Sequence, residues 1–535
     1  MSIKKTINNK DIIGYAADVD PQYGQTVKTD HNYNVHVRRS GSSAASSQRI
    51  GWTVDADNLT IGSATRTVVA YSAPQATIGG ESNRGCLHMI VSSSPKSIGT
   101  NGAELNRFSF STLGSTLRLT ASLTGYPASS NNNGASRNIG SGESTWQASS
   151  EYIYRFNAVS ADITLKGATY FYRAAAGSPR HYDPSAGGKD YAGGVHVWTL
   201  NVDSNDINDV EERFITSSAM TTGDGFGAAV CVNTNDYGSY IFVGSPEYDS
   251  GSISSSGVVS FYKWNNTSQK YQGPKTINYP LGSGTGAHFG TSIDTDGTLC
   301  AIGAPGKDTV VVYRQTSNFG FTKKMTLVHP SSSSSASRDF GSNISISGSY
   351  LAVGAPKDAD SEGGNSSNAA GRVFIYRKSD SDGYTLEHEV APTASLAVNR
   401  NSFYGMSVAL DSGYLIVGNG NYGVSSLGYP GRVYIYKSGS TGWTQDKIID
   451  RPGTNTYTYF GSSVAASNGM MVVSGHGDHS TLDDSGDSTG IANIYDVTEL
   501  STTNNVGRIF RFSAKTVNNL RGNGAGTNIK TIIGD

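Results

Sequence analysis

Cysteine, charge and long apolar runs are all scarce in this chain of 535 residues, and each shortage removes a class of protein. Three cysteines, Cys86, Cys231 and Cys300, cannot all pair with one another and sit among strand-like apolar neighbours. They read as small buried hydrophobes, which excludes a disulfide-built scaffold. Lys and Arg number 41 against 43 Asp and Glu, so no basic field faces a polyanion, and no basic cluster is interleaved with aromatic rings. Nucleic acid is therefore not an expected partner. No segment approaches the length of a membrane span. "MSIKKTINNKDIIGYAADVD" carries lysines without an apolar run behind them, so a secretory signal is not expected either.

Glycine is abundant at 65 residues and tyrosine outnumbers phenylalanine by 30 to 17, a mixture that suits short strands and tight turns and not long helices. The distribution is repetitive. "FGTSIDTDGTLCAIGAP" starts at Phe289, and "FGSNISISGSYLAVGAP" repeats its layout from Phe340, 51 residues later. Aromatic-glycine pairs recur at Phe226-Gly227, Phe289-Gly290, Phe340-Gly341, Tyr404-Gly405 and Phe460-Gly461. Each is followed by a glycine turn, at Gly244, Gly303, Gly354, Gly418 and Gly475. After a polar loop of variable length comes a strand closed by tyrosine: Tyr262, Tyr313, Tyr376, Tyr436 and Tyr495. A fourth strand runs from an aromatic to a proline, from Tyr271 to Pro280, Phe321 to Pro330, Tyr384 to Pro392 and Trp443 to Pro452.

In "GRVFIYR" Val373 and Ile375 alternate with Phe374 and Tyr376, so both faces of the strand are apolar, as they must be between two neighbouring sheets. Proline lacks an amide donor and closes an outer edge strand. Four short antiparallel strands per repeat describe a propeller blade. The expected fold is an all-β propeller of four-stranded antiparallel blades, seven in number, with six and eight as alternatives. The repeated aromatic is expected to fill the gap between blades. Upstream, "AAAGSPRHYDPSAGGKDYAGGVHVWTL" from Ala174 fits the pattern well. Pro74, the run from Gly85 to Val91 and the turn from Gly125 to Pro127 mark degenerate copies, whereas residues 131–156 fit poorly. Residues 1–50 read as an anchoring or closure arm, 51–505 as the propeller, and 506–535 as a closing strand and tail; such closure removes exposed sheet edges.

These motifs resemble the FG-GAP repeat family, whose best-known members are the integrin α-subunit propellers. The likeness rests on the Phe-Gly pairs, on "VGAP" from Val353, "IGAP" from Ile302, and on "GRVFIY" and "GRVYIY". It implies a propeller used for adhesion, ligand binding or scaffolding, with enzymes a minority, and in some members an Asp-rich calcium loop between the first two strands. Here that loop is reduced to "DTDG", with Asp294 and Asp296. No cofactor is expected, calcium being the one ion the remaining acids bring to mind. "KDADSEGG" supplies Asp358, Asp360 and Glu362, read chiefly as a solvated loop tip, and "STLDDSGDS" is read the same way. "HGDH" places His476 and His479 close together as a metal pair without a further defined ligand.

The tyrosines carry the more suggestive signal, because Tyr in loops rich in Ser, Gly and Asn makes adaptable binding surfaces. Tyr191, Tyr422 and Tyr429 are the loop candidates, each weighed equally against a core role. No catalytic triad signature or phosphate-cradling loop is present; "GSGTG" and "GNGAG" read as linkers. The resulting expectation is a non-enzymatic interaction or structural propeller. A bacteriophage virion component such as a tail, fibre or decoration protein suits a Cys-poor, Ser/Thr/Gly/Asn/Tyr-rich all-β chain. Its partners would be other virion proteins or a host-surface protein or glycan, within a larger assembly. The alternatives are an extracellular adhesin of the same fold, which needs an export route, and a polysaccharide-degrading enzyme, which needs paired carboxylates converging in the central funnel.

Overall fold

Strands with two apolar faces are satisfied only between two sheets, and the computed structural model of the chain arranges them in that way. It describes residues 51–61, 64–74, 158–179 without 167 and 168, and most of 193–497, together with strands at 13–16, 33–38, 86–92, 115–119 and 508–514. The segments 332–337, 359–369, 393–401, 424–428, 451–457 and 478–489 are among those outside the description.

Two strands come first, β1 (Ile13–Ala16) and β2 (Tyr33–Arg38). Blade 1 follows as β3 (Val54–Ile61), β4 (Ala64–Ala73), β5 (Cys86–Ser92) and β6 (Ser115–Leu119). Blade 2 is β7 (Val159–Lys166), β8 (Thr169–Ser178), β9 (Gly194–Asp203) and β10 (Asp206–Ile215). Blade 3 is β11 (Ala229–Asn235), β12 (Gly238–Ser245), β13 (Val258–Asn265) and β14 (Lys270–Asn278). Blade 4 is β15 (Ile293–Thr295), β16 (Leu299–Ala304), β17 (Thr309–Ser317) and β18 (Gly320–Val328). Blade 5 is β19 (Asn343–Ser347), β20 (Tyr350–Ala355), β21 (Arg372–Lys378) and β22 (Tyr384–Val390). Blade 6 is β23 (Ser407–Asp411), β24 (Tyr414–Asn419), β25 (Arg432–Gly439) and β26 (Gly442–Asp450).

These six sheets have the expected four-stranded antiparallel form. A further sheet holds β27 (Val464–Ser467), β28 (Met470–Gly475) and β29 (Ile491–Asp496). It continues through β2, then β30 (Arg508–Ala514), then β1, so that it has six strands. In it β2 runs antiparallel to β29 and parallel to β30.

The alternation in the third strands divides their side chains between two cores. Val373 and Ile375 pack with Tyr404, Val417 and Tyr434 of blade 6, whereas Phe374 and Tyr376 pack with Phe340 and with Leu299 and Val312 of blade 4. The repeated aromatics Phe226, Phe289, Phe340, Tyr404 and Phe460 are all buried between neighbouring sheets. So are the strand-closing tyrosines Tyr262, Tyr313, Tyr376, Tyr436 and Tyr495. Cys231 and Cys300 are free and buried, and burial pushes both thiols up.

The two glycines of the repeat hold neighbouring blades at backbone contact. In blade 5, the Gly341 N–H donates to the Gly354 carbonyl oxygen at 3.0 Å, tying the start of the blade to the end of its second strand. Gly341 has φ +90°, a left-handed conformation that favours glycine. A Cβ on Gly303 would overlap the Gly341 carbonyl of the next blade, and one on Gly354 would overlap that of Gly405. The aromatic-glycine motif is thus a latch that is tied within its own blade and lays its carbonyl against the turn glycine of the preceding one.

The latch also corrects the motif register in the last copy. The Gly461 N–H donates to Ser474 at 2.7 Å, so Ser474, and not Gly475, occupies the turn-glycine position. The same bond from Gly51 to Ser72, at 2.8 Å, identifies Gly51 as the latch glycine of blade 1. At both serine positions the hydroxyl turns back to its own sheet, Ser72 Oγ to the Thr53 N–H and Ser474 Oγ to the Ser463 N–H.

Candidate functional site at the loop-bearing end

Antiparallel order places the connections between second and third strands, and those between successive blades, at one end of the ring. The other end holds mostly tight hairpins such as Asp236-Tyr237, Gly348-Ser349, Ser412-Gly413 and Asn468-Gly469. Variable loops thus crowd a single end, where binding function concentrates on a rigid scaffold.

Among the described residues, the buried acids of the first strands are tied into structural bonds. First strands are stitched to their neighbours by side chains accepting backbone N–H groups: Asp55 from Ala161 at 2.7 Å, Asp57 from Ile163 at 3.0 Å, and Asp294 from Ile346 at 2.8 Å. Ser160 accepts from Val232, Asn343 from Val408, Ser345 from Leu410, Asp411 from Gly469, and Ser463 from Val54. Burial pushes Asp55 and Asp57 up to about 7 and Asp294 up to about 6, against backbone donors that pull them down. Asp162 is held by Arg173 at 2.7 Å and by the Thr234 hydroxyl. Asp296 caps its own turn by accepting from Thr298 and Leu299 and lies 3.4 Å from Lys378 Nζ. The "DTDG" turn is thus occupied by structural bonds.

The acidic loop expected to be solvated is a core junction at its first member. Asp358 is buried, with His329 Nε2 at 3.1 Å, Arg338 Nε at 3.2 Å and Arg372 Nε at 3.3 Å. Arg372 also pairs with Glu389. Nearby, Asp308 accepts from the backbone N–H groups of Arg338 and Phe340, which ties blade 4 to blade 5 where a repeat glycine would stand. Sequence reasoning misread Asp358 because its partners come from separate segments: His329 follows β18, Arg338 precedes β19 and Arg372 opens β21. Asp360 and Glu362 lie outside the described residues, as do His479 and Tyr191. Among the described residues no three His, Cys, Asp or Glu side chains come together to hold a metal ion. None of the described helices is long and apolar enough to cross a membrane.

The tyrosine candidates separate. Tyr422 is buried, with the Arg432 guanidinium 4.1 Å from its ring centre, so it is a packing residue and not a binding surface. Tyr429 is 39% exposed and begins a row of rings. Its ring lies 6.1 Å from that of Tyr459 at 14° between planes; Tyr459 lies 5.0 Å from His476 at 4°; and His476 lies 4.5 Å from Trp52 at 52°. Tyr459, His476 and Trp52 are each half-buried. The row crosses from blade 6 over the six-stranded sheet to blade 1.

Backbone bonds fix its members. The Tyr459 N–H donates to the Tyr429 carbonyl at 3.1 Å, the Gly477 N–H donates to Thr458, and His476 Nδ1 lies 2.9 Å from Ser462 Oγ. His476, named in the sequence as half of a metal pair, is a ring in this row. Tyr459 and Trp52 were missed. The available signal was Tyr459 standing directly before an aromatic-glycine pair. At the rim of blade 3, Glu247 and His288 form a separate pair at 3.1 Å, whose mutual hydrogen bond raises the imidazole and lowers the carboxyl.

A family model for the FG-GAP repeat matches residues 330–376, which span β19 to most of β21. Among solved structures, the chain is similar to a protein from Lactobacillus plantarum at 13% identity, covering 60% of this chain and 77% of that one with a TM-score of 0.37. It is similar to a putative 6-phosphogluconolactonase from Bacteroides uniformis at 9% identity, covering 72% and 84% with a TM-score of 0.40. It is also similar to the periplasmic gluconolactonase PpgL of Pseudomonas aeruginosa at 12% identity, covering 56% and 87% with a TM-score of 0.33. No curated protein matches the chain. With the matched repeat at its centre and latch bonds of one form in the sheets around it, the protein is a β-propeller that contains an FG-GAP repeat.

Proposed function

We propose that this propeller is a non-enzymatic binding and assembly module that meets its partner with the loop-bearing end. The observation that carries this reading is the contrast between committed acids and presented rings. Asp55, Asp57 and Asp294 accept backbone N–H groups and Asp358 sits between two arginines, whereas Tyr429 is offered at the surface. The setting that best fits the composition is a bacteriophage particle, with the propeller serving assembly or host-surface attachment.

Two measurements test the reading. Purified chain incubated with host polysaccharides is expected to release no oligosaccharide detectable by mass spectrometry; release would overturn the non-enzymatic assignment. Proteomics of purified particles from the source is expected to find the chain at structural stoichiometry. Its absence from particles would remove the virion setting while leaving the binding role intact.

A further inference from the structure

We infer that the acidic turn of blade 4 is built to hold its shape without a metal ion, with the Lys378 ammonium of blade 5 and the Asn235 amide of blade 3 standing where a cation would otherwise be needed. The family likeness implies calcium in a loop between first and second strands, and Asp294 and Asp296 stand at that place, on and just after β15. A calcium ion asks for about six to eight oxygen ligands. The oxygens here are already engaged. Asp294 Oδ1 accepts the Thr295 N–H at 2.8 Å, and Oδ2 accepts the Ile346 N–H of blade 5 at 2.8 Å. Asp296 Oδ1 accepts the N–H groups of Thr298 at 2.8 Å and Leu299 at 2.6 Å, while Oδ2 faces Lys378 Nζ at 3.4 Å. The Gly297 carbonyl accepts from Asn235 Nδ2 at 2.6 Å, the Thr298 carbonyl from the Gln315 N–H at 3.0 Å, and the Leu299 carbonyl from the Thr295 hydroxyl at 2.8 Å. These residues do not fit the ion.

Comparison between copies of the repeat shows that the lysine is matched to the acid. Val310 and Val373 are equivalent, since they pair with the turn glycines Gly303 and Gly354. Five residues after each, from 310 to 315 and from 373 to 378, come Gln315 and Lys378, which therefore hold one position on the third strands β17 and β21. Each reaches the first hairpin of the preceding blade. Gln315 Oε1 accepts from Asn235 Nδ2 at 2.7 Å, where β11 ends in Asn233 and Asn235. Lys378 instead meets Asp296, where β15 runs out through Asp294 and Asp296. An amide thus faces an amide, and an ammonium faces a carboxylate. The side chains of Lys378 and Asp296 are only 25% and 14% exposed, so water screens them poorly and each charge needs the other. Asn235 from blade 3, and Lys378 and Ile346 from blade 5, brace the turn from both sides.

The test uses the full chain, with melting curves recorded in calcium chloride and in EDTA. The wild-type melting temperature is expected to be the same in both, or to differ by an amount that Asp296→Asn shares, which places any calcium elsewhere. Lys378→Met should lower the melting temperature by about 2 °C, because Asp296 is left without its counter-charge. Adding Asp296→Asn to Lys378→Met should cancel most of that loss, since the amide oxygen still accepts from Thr298 and Leu299 and needs no cation. Circular dichroism at low temperature checks that each variant is folded before it is melted. A calcium-dependent rise in the wild-type melting temperature that is absent from Asp296→Asn would overturn the assignment. So would a Lys378→Met variant as stable as the wild type, or a double variant no more stable than Lys378→Met alone.

Discussion

At the scale of single residues, the repeat glycines do different physical jobs, and substitution can tell them apart. Gly303 is needed because another blade's backbone occupies the space of its Cβ, whereas Gly348, at φ +57° in an open hairpin, has nothing within 4 Å. Gly303→Ala is expected to cost about 2–3 kcal/mol through overpacking, and Gly348→Ala about 1 kcal/mol through backbone strain; urea denaturation of the two variants checks the order. Asp358 makes a second test. Asp358→Asn leaves Arg338 and Arg372 beside a neutral amide in a buried place, with an expected loss of about 3 kcal/mol. A solvated loop tip, as the sequence suggested, would lose almost nothing. The difference is one of partners: His329, Arg338 and Arg372 are invisible as neighbours of Asp358 until the blades stack.

At the scale of elements, each blade is an unfinished core that its neighbour completes. Phe340 touches rings from its own blade, Phe374 at 5.5 Å and Tyr376 at 6.4 Å, and shares a cluster with Leu299 and Val310 of blade 4. Phe340→Ala should therefore cost about 3–5 kcal/mol, measured by chemical denaturation. In blade 6 tyrosine replaces phenylalanine, and the Tyr404 hydroxyl donates to that of Tyr436 at 2.7 Å. Tyr404→Phe keeps the packing and removes only this bond, so about 1 kcal/mol is expected. Most of this level was legible in advance. Alternating apolar residues in "GRVFIYR" imply two buried faces whatever lies beyond them, and a strand-closing tyrosine recurs only if its surroundings do. The split of loop tyrosines was not legible, because Tyr422 and Tyr429 lie between the same two strands and only the folded structure brings Arg432 over Tyr422.

At the scale of the whole molecule, a ring concentrates acids around its axis and leaves an edge to be closed. Asp55 and Asp57, pushed up to about 7, and Asp294, pushed up to about 6, hold protons in the folded state that the unfolded chain has released above its ordinary 3.8. Their contribution favours folding on the acid side of that window and is lost as pH rises through it. The wild-type melting temperature should fall between about pH 4 and about pH 7. Asp55→Asn, which keeps an acceptor for the Ala161 N–H, should shrink that fall; an unchanged difference would show that the axis acids do not govern it. The β2 strand shields one edge of β29. Removing residues 1–38 should lower the melting temperature and produce self-association visible by light scattering, because a bare strand edge recruits another.

The amino-acid sequence by itself determined the repeating sheet, its two apolar faces, the aromatic plugs and most of the glycine latches, since each depends on neighbours that recur from copy to copy. The structure decided what the irregular residues do. Asp358 was drawn into an ion-pair junction, the axis acids were committed to backbone N–H groups, and Trp52 was brought against His476 from the opposite end of the repeat array. The physical reason is the ring itself: periodic contacts are specified locally, whereas the meeting of the first blade with the last sheet is set only when the circle closes.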